Sequence, residues 1–541
     1  MAVGERFVLA ADAPRTFPAW IRAQAARYGN KVALDIMGRE KTYLELDADS
    51  DRVAAGLTEL GLAAGDHCAL MMKNSLENVD TWFGLTKAGV VELAVHHAAR
   101  GNVLRHILFH GDAKVIILDE EFLPALADVI DDLPLLQHVV VNRETDGELN
   151  RERIPSRVMV HDHRALYSDL PPPNPRLERT DPLAILHTSG TTGPPKGAII
   201  CHESALHLTR HIVWLMDYTP EDRLYTAFPL FHNNAKYTSV TAAIECGGSV
   251  VIEQRFSVSR FWELCRKKRI TAFNYMGALL MMLFKQDPKP TDRDHQVRIA
   301  FGAPCPVEIW EAFEERFGVR LVEVYGMTEA PIACENRLDD RRIGSAGKES
   351  MSYQVRIVDA DDQPVPPNQP GEIVIRPKYP NIMFSGYYKR PEATVEAWRN
   401  LWFHTGDRGR MDEDGFLYFL DRTKDVIRRR GENISSWEVE SVINTHPDVV
   451  EAAAYGVASE LTEEEVMVAV VRRPGSDLRP EALLDFCQGK MSHFAVPRFV
   501  RFVDSLPKNH AQRVQKFSLR EEGLTPDTWD REAAGYRVRR S

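Results

Sequence analysis

The sequence predicts a large α/β unit followed by a smaller α+β unit, and three features of the chain carry that expectation. Short apolar strands alternate with capped helices through the first part, an order that indicates a parallel sheet covered by helices. A proline-rich segment, LPPPNPRLERTDP at 170–182, interrupts the pattern and leads directly into the apolar run LAIL at 183–186. Past residue 420 the texture changes to crowded charged turns between shorter elements. A chain of 541 residues has room for roughly two to four compact units.

The elements follow in order. Thr42 and Glu45 stand at the spacing of a capping box, where hydroxyl and carboxylate satisfy free backbone N–H groups at a helix start. Behind them Leu46, Val53, Leu57 and Leu60 fall on one helical stripe that Gly61 ends. HCALMM (67–72) reads as a short buried strand, NVDTWFGLTKAG as a helix stopping at Gly89, and KVIILD (114–119) as another strand. In the second unit Ser435 and Glu438 repeat the capping-box spacing, and VMVAVVRR (466–473) and RFVRFV (498–503) read as strands. The division is expected near Lys424, giving units 1–423 and 424–541. No repeat of fixed period occurs.

Composition narrows the function classes. Hydrophobic residues make up 44% and charged residues 27%, as in globular enzymes. The formal net charge of −11 argues against a nucleic-acid partner or an anionic membrane surface, both of which need a basic face. Cys68, Cys201, Cys246, Cys265, Cys305, Cys334 and Cys487 are scattered without a CxxC pair, so neither a disulfide framework nor a zinc site is indicated. No run reaches the ~20 apolar residues that span a bilayer. The N-terminal MAVGERFVLAADAPR lacks the apolar core of an export signal. The expectation is a cytoplasmic enzyme without stable membrane insertion; a homodimer is compatible with it.

The strongest chemical signal is HTSGTTGPPKG at 187–197, directly after the apolar run. Thr188, Ser189, Thr191 and Thr192 offer hydroxyl donors, Gly190 and Gly193 let backbone N–H groups curl around an anion, and Lys196 adds a fixed positive charge. Such a loop suits the β- and γ-phosphates of a nucleotide. It is not the kinase and GTPase phosphate loop, GxxxxGK[ST], because Pro195 stands five residues after Gly190.

Three further segments follow in order: VYGMTEA at 324–330, WFHTGD at 402–407 and DRTKDVIRRRGENIS at 421–435. A fourth, LPKNHAQRVQKF, occupies 506–517. With the Ser/Thr/Gly loop, these segments make the chain resemble, over nearly its whole length, the adenylate-forming superfamily of acyl-CoA synthetases, luciferases and peptide-synthetase adenylation domains. The wording of FHNNA, FNYMGA and GENISSWEVE is most similar to bacterial crotonobetaine/carnitine-CoA ligase-type proteins. The resemblance implies a large multi-subdomain N-terminal domain, a smaller mobile α+β C-terminal domain, and the substrates ATP, coenzyme A and a small carboxylic acid, with Mg²⁺.

Pressing a carboxylate against a tetra-anionic triphosphate needs positive charge both for approach and for the departing pyrophosphate. The resemblance gives the hydroxyl loop and Lys196 that task, Glu329 the Mg²⁺, and Thr328 the α-phosphate. It sets Tyr325 and Gly326 against the adenine, with Gly302, Ala303 and Pro304 opposite, and Asp407 and Arg422 on the ribose hydroxyls. His232, Asn234, Tyr275, Gly277 and Met327 are expected around the acyl pocket. Lys424 matches the hinge of the mobile domain, and Gly431 the close approach of the pantetheine arm. In the last segment Gln512 and Arg513 stand where the family has glycine and the adenylation lysine, while Lys508 and Lys516 keep the other basic positions. Arginine retains the charge but grips with a planar fork, so the departure bears on the adenylation step.

Other features carry less. His207 and His211 share a helical face, but Leu208 takes the glutamate position of HExxH, so packing is expected rather than a metal site. CGGSVV (246–251) reads as a turn entering a strand. Arg428–Arg430 read as an exposed turn that would otherwise meet CoA phosphates, and YRVRR (536–540) as a solvated tail. Two rival classes remain: an adenylation unit serving a carrier protein, and a non-catalytic relative that binds nucleotide or acyl ligand.

Overall fold

The computed structural model describes residues 13–97, 99–143, 151, 153–188, 195–422, 426–429, 432–458, 464–488, 490–491, 494–508 and 514–538. Its first part is built on two large sheets. One, of seven strands, runs Met159–Asp162, His138–Asn142, Val115–Asp119, His67–Met71, Val91–Ala94, Pro182–Thr188 and Lys196–Cys201. All its pairings are parallel except the last, an antiparallel hairpin that sets Thr188 opposite Lys196. The other, of nine strands, has a parallel centre: Arg320–Tyr325, Ile299–Gly302, Ala272–Tyr275, Arg223–Thr226, Ser249–Ile252 and Val32–Ile36.

The local rules read from the chain operate here. Thr42 Oγ1 accepts a hydrogen bond from the Glu45 amide at 3.2 Å, and Glu45 Oε2 accepts one from the Thr42 amide at 2.8 Å. That box starts helix Tyr43–Glu59, whose Leu46, Val53 and Leu57 are buried. Helix Leu76–Ala88 ends at Gly89, and all its residues but Glu77 are buried. Its Lys87 is neutralised by Asp47 and Asp51 of the neighbouring helix, at 2.5 and 2.8 Å. Gly247 closes a helix just before strand Ser249–Ile252, as the turn reading of CGGSVV requires.

The chain does not announce one unit. Strands Tyr353–Val358, Gly371–Pro377, Trp402–Met411 and Leu417–Arg422 form an antiparallel sheet with the short Trp398–Arg399. That sheet carries Asp407, opposite Arg422 in the register. The smaller C-terminal domain has sheet order Val449–Ala458, Glu464–Arg472, Phe499–Val503, Trp529–Asp530, flanked by helices Ser436–Asn444, Pro480–Cys487 and Lys516–Glu522. Its own apolar core gathers Ile427, Val439, Val468, Leu484 and Val500.

Two expectations for this domain need correction. Arg429 is not on an exposed turn: it is buried in strand Val426–Arg429, its Nε 2.5 Å from buried Glu465 and its Nη1 donating to the Phe494 carbonyl at 2.8 Å. A buried guanidinium paired with a buried carboxylate and a backbone carbonyl fits a structural role. Tyr536 and Val538 of the tail are docked as well. Tyr536 donates to Asp485 at 2.5 Å, and Tyr536 and Val538 pack on the domain core.

A half-buried cation links the two domains. Lys285 Nζ donates to the carbonyls of Asn444, His446 and Val449 at 3.0, 3.3 and 3.1 Å. These include the C-terminal end of helix Ser436–Asn444, where backbone carbonyls lack helical partners and a positive charge is favoured.

Candidate active site

Strand Arg320–Tyr325 ends against a cavity of about 700 Å³. Its continuation Gly326–Met327–Thr328–Glu329 folds back tightly: a Cβ on Gly326 would lie 2.5 Å from the Ile332 nitrogen, so no side chain fits there. Tyr325 Oη donates to Asp407 Oδ2 at 2.8 Å, which joins two motifs from different sheets. Both residues are buried. Burial, and then the Asp407 charge, hold the Tyr325 phenol well above its ordinary pKa, so it stays a donor. Thr328 lines the same cavity.

Glu329 lies just behind, accepting from Tyr387 Oη at 2.9 Å. Lys196 Nζ sits 5.0 Å from the centre of that tyrosine ring. The hairpin thus delivers its lysine to the face of a ring whose hydroxyl holds the carboxylate. Burial and the Glu329 charge raise the Tyr387 pKa as well.

The opposite wall comes from the end of strand Ile299–Gly302. A Cβ on Gly302 would stand 2.1 Å from the Tyr275 carbonyl oxygen, so only glycine lets the adjoining strands meet there. Ala303, Pro304 and Cys305 then line the cavity. So does Glu323, whose carboxyl is pushed up to about 8 by burial, opposed only by the Cys305 backbone N–H. Glu323 and Tyr325 are two apart on one strand and share a face, the signal that could have found Glu323 in the sequence.

The acyl-pocket candidates separate. Asn234 and Met327 line the cavity. Asn234 Oδ1 accepts from Asn274 Nδ2 at 2.9 Å, and the same buried amide donates to Thr238 and Ser239 at 2.8 and 2.9 Å. It thereby organises the π-helical turn Lys236–Val240. Tyr275 does not form the wall: it is fully buried and donates to the Val322 carbonyl at 3.1 Å. Gly277 is behind the wall too, where a Cβ would lie 2.7 Å from the Pro304 oxygen. Both lie outside the lining, Gly277 packed against the Pro304 backbone. His232 begins helix Asn233–Ala235 with its ring 4.3 Å from that of Phe231, beside the lining.

The C-terminal domain completes the cavity with Trp437, Glu440, Gln515, Lys516, Phe517 and Arg520. Lys516 Nζ is 2.9 Å from Glu440 and also bonds Ser436. His207 and His211 are packing residues: both rings meet Ser352 Oγ, at 2.7 and 2.9 Å, and His211 meets Glu335 at 2.6 Å. Thr188 and Arg422 are described by their backbones. Ser189, Gly190, Thr191, Thr192, Lys424, Gly431 and Arg513 lie outside the described residues, as does the side chain of Ser435.

Profiles of the AMP-binding enzyme and of the AMP-binding enzyme C-terminal domain match residues 21–388 and 438–513. The chain belongs to the AMP-binding enzyme family. It is 32% identical over 510 residues to the crotonobetaine/carnitine–CoA ligase of Citrobacter koseri, covering 91% of this chain and 96% of that protein. The Salmonella typhi protein of the same name is 31% identical, over 92% and 97%. The anthranilate CoA ligase AuaEII, solved with anthranoyl-AMP, superposes with a TM-score of 0.84 at 25% identity over 95% of this chain and 99% of that one. ATP-bound MatB from Rhodopseudomonas palustris gives 0.81 at 27%, over 94% and 99%. Within the AMP-binding family fold the cavity lies where strand ends of the nine-stranded sheet, the antiparallel sheet and the small domain meet. Among the described residues no helix is long and apolar enough to cross a membrane.

Proposed function

We propose that this cavity joins ATP to a small carboxylic acid and then passes the acyl group to coenzyme A, as an AMP-forming acid–thiol ligase. The observation that carries the reading is the convergence of Tyr325, Asp407 and Thr328, from two sheets, on one cavity with Glu329 and Lys196 behind it. A buried aromatic face suits a purine, and an adjacent buried carboxylate suits two ribose hydroxyls. Glu323, kept neutral by burial, supplies a hydrogen-bonding group at the edge of the purine position.

In the first half-reaction a carboxylate oxygen of the acid bonds the α-phosphorus while the bond to pyrophosphate breaks. Thr328 steadies the α-phosphate, and Lys196 with the hydroxyl loop takes up the charge that collects on the leaving group. Glu329 is a buried oxygen donor beside Lys196, the kind of single carboxylate with which Mg²⁺ is held together with substrate phosphates. The ion would add positive charge there. In the second half-reaction the CoA sulfur bonds the acyl carbon, the bond to AMP breaks, and the thioester leaves. The small domain, pivoting near Lys424, presents Arg513 for the first step and the Gly431 face for the second. The domains divide there, as 1–423 and 424–541.

The direct assay supplies ATP, Mg²⁺, CoA and a panel of carboxylic acids and measures AMP. The expected result is AMP release that requires an acid. AMP release from no acid tested favours a non-catalytic binding relative, and transfer to a carrier protein but never to CoA favours the carrier-serving class.

A further inference from the structure

Next to the main cavity lies a second, much smaller chamber of about 10 Å³. Leu208, Asn233, Thr328 and Pro331 line both, so the chamber opens at the residue placed against the reacting phosphate. Its remaining wall is largely apolar, with Ile200, Ala205, Ile382, Met383 and Phe384. Ser204 lines it as well, with its Oγ donating to the Cys201 carbonyl at 3.0 Å. Two lining residues each carry a polar atom that is not satisfied in this way. Tyr237 Oη and Asn233 Oδ1 are buried without a hydrogen-bond partner among the described residues, and Tyr237 is only 1% exposed. Its ring packs against Phe17 and Trp82, with centroids 6.1 and 6.0 Å away. Leaving such atoms unsatisfied in an apolar wall is costly, and where they persist in a cavity a ligand group that satisfies them is selected.

Resting on the adenylation reading, we infer that this chamber receives a hydroxyl group carried by the acyl chain, and that Tyr237 and Asn233 make the enzyme selective for hydroxy acids. A hydroxyl supplies one donor and spare acceptor capacity, which matches the carbonyl oxygen of Asn233 and the O–H of Tyr237 together. A bare methylene satisfies neither. A trimethylammonium group offers no N–H and is far larger than a chamber that holds about one water. No carboxylate lines the chamber among the described residues. The quaternary ammonium of the acids named for the Citrobacter and Salmonella relatives therefore does not suit the chamber, whereas the hydroxyl that carnitine carries and crotonobetaine lacks is of the chemistry it would take.

The test uses acids in matched pairs, equal in chain and differing only by a hydroxyl at successive positions, in ATP–pyrophosphate exchange by the full-length protein. The expected result is at least one pair in which kcat/KM favours the hydroxy acid by about tenfold or more, since a site built for a hydroxyl rejects the analogue lacking it. In Tyr237→Phe that ratio falls toward one, and Asn233→Leu lowers it as well. A ratio near or below one in every pair, or a ratio that survives Tyr237→Phe, overturns the inference; a chamber filled only by water gives the first result. Thermal melting adds an independent readout. Tyr237→Phe is expected to melt with the parent or above it, because its hydroxyl has no partner among the described residues to lose. A clear loss of melting temperature overturns the inference. Exchange with no acid at all overturns the adenylation reading instead, and the chamber is then judged on melting.

Discussion

Asp407 and Lys516 line one cavity from opposite domains and are held in contrasting ways. Asp407 is buried in a sheet, opposite Arg422 in the register, and receives the Tyr325 hydroxyl at 2.8 Å. Lys516 is half-buried at the start of a short helix, and its charge is turned toward Glu440 of its own domain at 2.9 Å. The large domain's groups are fixed by partners that no ligand needs to displace. The small domain's cation would reach a substrate only by leaving a local partner, and the domain itself is anchored to the large one through Lys285. On the proposed reading, nucleotide geometry belongs to the large domain and the change between half-reactions to the small one.

The largest effect is expected where the rigid part meets the leaving group. Lys196→Ala or Glu329→Ala is expected to slow acid-dependent pyrophosphate exchange on the order of 10²-fold, the scale of removing a preorganised electrostatic group. Near-parental exchange in both would place the pyrophosphate elsewhere. On the mobile side, Arg513→Ala is expected to lose adenylation by more than about tenfold, while thioester formation from supplied acyl-adenylate changes little. Equal loss of both steps would erase the division of labour between the domains.

Much of this architecture was legible in the chain. The Thr42–Glu45 box, the helix ending at Gly89 and the strand at 115–119 depend on neighbours in sequence, and local rules reach them. The family was legible because its motif residues are few, ordered and chemically distinctive. What escaped depends on contacts distant in sequence. Tyr275 looked like a pocket wall, but only the pairing of its strand with Ile299–Gly302 shows that its ring faces away. Asn274 supports Asn234 across 40 residues, and Lys285 reaches carbonyls 159 to 164 residues on. Arg429 sat in a run of charges that gave no hint of buried Glu465, 36 positions away.

Smaller effects sharpen the comparison. Tyr325→Phe keeps the ring and removes the hydrogen bond to Asp407, worth about 1 kcal/mol; KM for ATP is expected to rise about fivefold with kcat nearly held. A fall in kcat alone would mean that the bond serves the transition state instead of ground-state binding. Glu323 keeps its proton in the folded protein up to about pH 8, against an ordinary value of 4.5. Between those values the unfolded chain binds fewer protons, so this group makes stability fall as pH rises through the window. Glu323→Gln has no proton to lose and is expected to flatten that fall, gaining on the parent at pH 8 relative to pH 5 in denaturant midpoints. Parallel pH profiles would show that burial of Glu323 does not set its proton affinity.

The most direct test of the central claim identifies the products when purified protein turns over ATP with Mg²⁺, CoA and the acid that supports the fastest exchange. The account predicts AMP, pyrophosphate and acyl-CoA in equal amounts, with acyl-adenylate accumulating when CoA is left out. Release of ADP and phosphate, or an adenylate that CoA never discharges, would contradict it.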